Sequence, residues 1–296
     1  MATSNSPHRW VFALAIVVLQ ASAGAASLKP ETAQAWEEYL KTADSRMQER
    51  LRPGNQFLWI DEDPDRLATV RDGQPVVAAV GQNPKKVPSG LIHDWAGAVF
   101  IPGVTLDQVL SVVRDYAHYD EFYKPAVIQC KVVAKSGEDD RFSMRLMNKS
   151  VLLRTALDSD YKASYFRVDD RRWYSIARTT RVQEIEHYGE AGEQMLREDE
   201  GHGLIWRLMS ISRFEERDGG VYVEVEAIAL SRDIPVSLRW MVTPIVRRVS
   251  KGSMLTTLQE TQNAVRPETL AAVRGGASGG GAAASSVHSA AVQSFH

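Results

Sequence analysis

Cysteine is nearly absent from the 296-residue chain: Cys130 is the only one, so neither an intramolecular disulfide nor a thiolate metal site can be built. Packing alone must hold the fold, and a small buried apolar role is expected for Cys130. Charge of one sign is also lacking. With 35 Lys and Arg against 37 Asp and Glu, and no long basic run, nothing forms a phosphate-binding stripe, which argues against a nucleic-acid partner. No serine before the tail stands in a Gly-x-Ser-x-Gly pattern, and the glycine-rich stretch from Gly275 onward has no strand before it and no helix after it to make an elbow or a phosphate loop. Hydrolase and phosphate-loop chemistries lose their signatures, and no cofactor is expected.

Long apolar runs are scarce too. Trp10 to Leu19 is the longest near the N-terminus, preceded by His8-Arg9 and followed by Ala21-Ser22-Ala23. That run is short of the roughly 20 residues needed to span a bilayer. It fits an export signal over residues 1–25, cleaved at the small residues, and hence an extracytoplasmic location; a retained anchor is the other reading. Residues 267–296, rich in Gly, Ala and Ser, are expected to be a disordered tail.

Between these ends, Ala33, Trp36, Tyr39, Leu40, Ala43 and Met47 recur at helical spacing from about Pro30 to Arg50, where Pro53-Gly54 follows. Gln56–Ile60 and Pro75–Val80 read as short strands, and residues 26–89 as an N-terminal addition packed on the main domain. From Gly90 the pattern becomes regular. A strand Leu91–Ile101 precedes a helix from Leu106 to about Asp115, capped by Thr105. An aromatic-rich loop, Tyr116 to Pro125, then leads into strands at Val127–Ala134, Arg141–Met147, Val151–Leu157, Ala163–Val168, Trp173–Ile185, Leu204–Glu215 and Val221–Ser231. The glycines of Glu216-Arg-Asp-Gly-Gly220 should supply the positive φ of a tight hairpin. Asp233 is positioned to cap a final helix with Pro235 in its first turn. Its apolar stripe comprises Leu238, Met241, Val242, Ile245, Val246, Val249, Leu255 and Leu258, with Pro244 expected to bend it. The order predicts an α+β fold.

Residues 90–266 resemble the START-like, or SRPBCC, superfamily. The likeness rests on Trp95-Ala-Gly-Ala-Val-Phe-Ile-Pro-Gly-Val-Thr-Leu-Asp-Gln-Val, on the aromatic stretch Tyr116–Tyr123, and on Leu230-Ser-Arg-Asp-Ile-Pro235 before the last helix. It implies a helix-grip fold, a curved antiparallel sheet wrapped around the long C-terminal helix. It also implies a cavity between sheet and helix that binds a hydrophobic small molecule or lipid. Two other roles remain open on the same fold: a cyclase- or dehydratase-like enzyme, for which Arg178, Tyr222 and Glu224 would be the acid, base or oxyanion donor, and a structural envelope protein without a ligand.

Ligand contacts are expected from three groups. The aromatics Tyr116, Tyr119, Phe122 and Tyr123 could gate the cavity mouth, or equally cap the edge of the core. Arg145, Arg178, Tyr222, Glu224 and Glu226 could orient a polar head group, although a solvated charged face with exposed ion pairs worth about 0–1 kcal/mol is the favoured reading. Met241 and Ile245 would come from the terminal helix. On Val221–Leu230 the small face, Val221, Val223, Val225, Ala227 and Ala229, is the better candidate for packing. His118, Asp120, Glu121 and His93-Asp94 lack metal-site spacing and read as polar residues. A peripheral contact with a membrane is a further partner expectation.

Overall fold

In the computed structural model the described residues are 26–137, 139–150 and 153–266. The expected signal segment and tail lie outside them. In chain order the elements are β1 (Ala26–Ser27), α1 (Pro30–Arg50), a 3-10 turn (Trp59–Glu62), α2 (Pro64–Arg71), β2 (Val76–Ala79), β3 (Lys85–Val87), β4 (Gly90–Pro102) and α3 (Leu106–Val113). A 3-10 turn (Tyr116–His118), α4 (Tyr119–Phe122), β5 (Val127–Ser136), β6 (Asp139–Ser150), β7 (Leu153–Arg167), β8 (Arg172–Glu186), β9 (Gln194–Met195), β10 (Glu200–Gly201), β11 (Arg207–Arg217), β12 (Gly220–Arg232) and α5 (Val236–Val265) complete it.

One antiparallel sheet runs β2-β4-β12-β11-β8-β7-β6-β5, with β3 on β4 and β9 on β8. It curves around the long terminal helix, giving the α+β helix-grip arrangement. The β11–β12 hairpin turns on Asp218-Gly219, both at positive φ, as a two-residue primed turn requires. Gly220 plays a different part from the one expected. It pairs with Arg217, and a Cβ there would meet the Ile101 carbonyl at 2.3 Å. At α3 the Thr105 cap is reciprocal: its hydroxyl accepts from the Gln108 amide, whose side chain accepts from Thr105 N–H.

Several local expectations are corrected. Gln56–Ile60 is not a strand; it enters the Trp59–Glu62 turn, because the carboxylate of Asp63 caps α2 by accepting from Asp65 and Arg66 N–H. Val151–Leu157 and Ala163–Val168 belong to the single strand β7. The polar Asp158-Ser159-Asp160 between them is not a turn, since both carboxylates accept from Arg181 on β8. Asp233 does not cap α5, and accepts from Arg239 instead.

Both faces of the sheet are covered. On one, α1 lays Trp36, Tyr39, Leu40, Ala43 and Met47 onto Phe100, Met209, Ile211, Tyr222, Ile228 and Leu230. On the other, the concave face, α3, α4 and the C-terminal half of α5 pack on Val99, Val221, Val223, Phe142 and Tyr161. Helix α5 crosses β4 at Gly97, where a Cβ would lie 2.9 Å from Leu258 Cδ1 and from Val77 Cγ2. Its hold comes from Met254, Leu258, Ala264 and Val265, and from Val242 against Leu91 and Ile234. Ile245, expected in the apolar stripe and as a ligand contact, is 39% exposed, and Val249 is 53% exposed. Pro244 lies within the helix.

Candidate functional site

Strand alternation decides which side chains share a face, and register decides which meet. Applied to the expected site residues, these rules separate them into groups that do not converge.

The aromatics stay on the concave side but close its end as packed core. Tyr116 stacks on Phe142 at 4.1 Å between centroids, and Phe142 on Tyr161 at 4.9 Å. Each hydroxyl is used: Tyr119 donates to the Val113 carbonyl at 2.6 Å, Tyr116 lies 3.0 Å from Tyr165 Oη, and Tyr123 lies 3.2 Å from Thr261 Oγ1 on α5. Phe122 is buried beside them. Capping of the core edge, rather than a free gate, is what this packing performs.

Tyr222, Glu224, Glu226 and Arg178 occupy the opposite face, beneath α1 and α2. Arg213, 1% exposed, donates to Glu224 at 2.8 Å and to Glu226 at 3.0 Å. Arg46 of α1 adds bonds to Glu226 at 2.5 Å and to Asp94 at 2.9 Å, and Tyr39 donates to Asp94 at 2.7 Å. The solvated charged face expected from the sequence is therefore a buried ion network. Burial pushes the Glu224 carboxyl up against the pull of Arg213. Burial also pushes Glu226 up, but Arg213 and Arg46 outweigh it and hold Glu226 low. Burial and the charge of Glu226 raise Asp94 to about 7.

Arg178 donates to Asp44 of α1, and Tyr222 lies between Arg71 and Asp218, so Arg178, Tyr222 and Glu224 each answer to a different partner. Nothing here assembles an acid–base pair. Arg145 pairs with Asp158 on the outer strands. Ile245 points to solvent, and the side chain of Met241 lies outside the described residues. Among the described residues no cluster of His, Cys, Asp and Glu could hold a metal. Burial pushes the Cys130 thiol up to about 12, leaving it inert.

Among the site residues expected from the sequence, none lies at the centre of the concave face. Across it, directly paired residues form two rows: Trp95–Ala227–Ser210–Ala177–Ala163, and Gly97–Val225–Ser212–Ser175. Most are Gly, Ala or Ser, so the floor is shallow and uncharged. Trp95, Val225, Ala227, Ser210, Ser212 and Ala177 are each only half-buried. On β12 the faces are thus inverted relative to a sheet with one wet side: charged Glu224 and Glu226 are buried, while Val225, Ala227 and Ala229 are partly open. The sequence signal was the run of small residues at alternate positions of β12, which was read as packing.

No protein-family model matches the chain, and no curated protein does. Solved structures similar to it include a STAR-related lipid transfer protein from Xanthomonas axonopodis, 16% identical, covering 64% of this chain and 98% of that one with a TM-score of 0.43. Human STARD10 is 10% identical over 73% of this chain and 83% of its own, with a TM-score of 0.41. The Zhui aromatase/cyclase from a Streptomyces species is 12% identical over 60% and 98%, with a TM-score of 0.40.

Proposed function

We propose that the protein binds an apolar small molecule, of lipid or polyketide type, against the concave face between the sheet and α5. The inverted burial of β12 carries this reading. An apolar strip at the middle of a sheet, half-open while charges opposite it are buried, is a surface that a ligand completes. Each 100 Å² of apolar area so covered contributes about 2.5 kcal/mol, at about 25 cal/mol per Å². The residues expected for catalysis, Arg178, Tyr222 and Glu224, sit on the other face with separate partners.

Titration with Nile red, a neutral apolar dye, tests the site. Saturable one-to-one binding is expected, and Ala227→Trp should abolish it while leaving the thermal midpoint within a few degrees, because the indole fills open space. Dye binding that survives Ala227→Trp would remove the concave face as the site and favour a structural role without ligand.

We infer two further features of the setting. Export rests on the N-terminal apolar run and its small-residue cleavage pattern. Contact with an anionic membrane surface is supported by α5, where Val236 and Trp240 are 75% and 78% exposed. The stretch from Val236 to Gln259 carries Arg239, Arg247, Arg248 and Lys251 and no acidic residue. Co-sedimentation with vesicles containing phosphatidylglycerol should fall for Trp240→Ser; undiminished sedimentation would exclude the helix as the contact.

A further inference from the structure

Strand β4 contributes two ring nitrogens to the concave face that lack partners. His93 and Trp95 are two residues apart and so share the face, opposite Ala229 and Ala227 of β12. His93 is only 6% exposed, and its Nδ1 is buried without a hydrogen bond. Trp95 Nε1 is likewise buried and unbonded. A buried donor or acceptor left unmade costs about 1–3 kcal/mol, and native proteins rarely retain two side by side.

The proton inventory fixes their characters. Burial holds the His93 imidazole neutral, lowering its pKa to about 4. Its Nε2 lies 3.0 Å from Ser231 Oγ, and we assign the single Ser231 hydroxyl proton to the Arg232 carbonyl, 3.3 Å away. Nε2 therefore carries the hydrogen and donates to Ser231, which leaves Nδ1 as a bare acceptor. Trp95 Nε1–H can only donate. Asp94, Arg178, Arg213, Glu224 and Glu226 of the neighbouring strand positions face the other way.

We propose that His93 and Trp95 form the polar anchor of the concave site, selecting an apolar ligand with one uncharged group that both donates and accepts a hydrogen bond, such as a hydroxyl. This deepens the binding function above and rests on it. An anionic head group would meet the His93 lone pair; a ligand without a polar group would leave both nitrogens unpaired.

The test is competition against Nile red by three probes of equal chain length: decan-1-ol, 1-chlorodecane and decanoate. Decan-1-ol should displace the dye at a concentration about tenfold lower than either other probe, the usual size for one well-made hydrogen bond. Trp95→Phe, which removes the donor and keeps the ring, should bring the alcohol level with 1-chlorodecane. His93→Phe should do the same, with circular dichroism checking that the variant is folded; Trp95→Phe decides the matter if it is not. Equal displacement by alcohol and chloride in the unmodified protein, or tighter binding of decanoate, would overturn the anchor while leaving the apolar site intact. Failure of Nile red itself to bind would overturn the binding function and the anchor with it.

Discussion

Replacing Arg213 with methionine should destabilise the protein by about 3–5 kcal/mol, the cost of stranding a buried charge. The guanidinium is 1% exposed and reaches Glu224, Glu226 and, through Nε, Met47 Sδ at 3.2 Å. Without it, Glu226 keeps Arg46, but Glu224 retains only backbone N–H groups, of Trp59 and of Ile60 at 3.3 Å, and is itself fully buried. For a domain of this size, that loss lowers the thermal midpoint by about 10 °C. Urea unfolding followed by circular dichroism reads the change as a shifted midpoint at constant slope. The companion variant Arg213→Met/Glu224→Leu removes both charges and should recover most of the stability, because a buried pair replaced by apolar groups of similar volume is often neutral or better. A loss below about 1 kcal/mol in the single variant, the size expected of an exposed pair, or a double variant no better than the single, would refute the buried-network account.

Three further outcomes follow from the packing. Gly97→Ala should cost about 1–3 kcal/mol by forcing Leu258 and Val77 apart where α5 crosses β4, read from the urea midpoint. Ile245→Asp should change stability by less than about 0.5 kcal/mol because its side chain is open to solvent, whereas Leu258→Ala should cost about 2–5 kcal/mol; the reverse ranking would displace the grip. The pH dependence of stability should contain two opposed contributions. Asp94 is raised to about 7 in the folded state, so its contribution is present below pH 4 and lost as pH rises to 7. His93 is lowered to about 4, so its contribution is present above pH 6.5 and lost as pH falls through 4. Between pH 4 and 6.5, Asp94→Asn should therefore make stability climb more steeply with pH and His93→Phe should make it climb less; unchanged slopes would contradict both environments.

Much of the fold was legible because periodicity reports it directly. The helical spacing of Trp36, Tyr39, Leu40, Ala43 and Met47 fixed α1, and the alternation of β12 fixed a two-faced strand. Shorter signals were misread where polar residues do structural work. Asp63-Pro64 starts a helix directly after the expected strand Gln56–Ile60, and Asp158 and Asp160, between two expected strands, anchor an arginine within the sheet. The site was less legible, since sequence tells which residues alternate but not which face is covered. Glu224 and Glu226 looked solvated because charge ordinarily seeks water; only the arrival of α1 with Arg46, one position before Met47 on its buried side, reverses that. A cation beside an amphipathic helix's apolar face was the available hint. The orphaned nitrogens of His93 and Trp95 had no sequence signature, because a missing partner is a property of the folded surroundings.

The central claim is that the concave face holds an apolar molecule, and native mass spectrometry of the protein purified from its own host tests it most directly. The account predicts an excess mass of a few hundred daltons, the order of a ligand filling a typical small-molecule site, that disappears on denaturation and is absent from Ala227→Trp purified in the same way. A spectrum showing only the polypeptide mass, together with no uptake of Nile red by that same preparation, would contradict it.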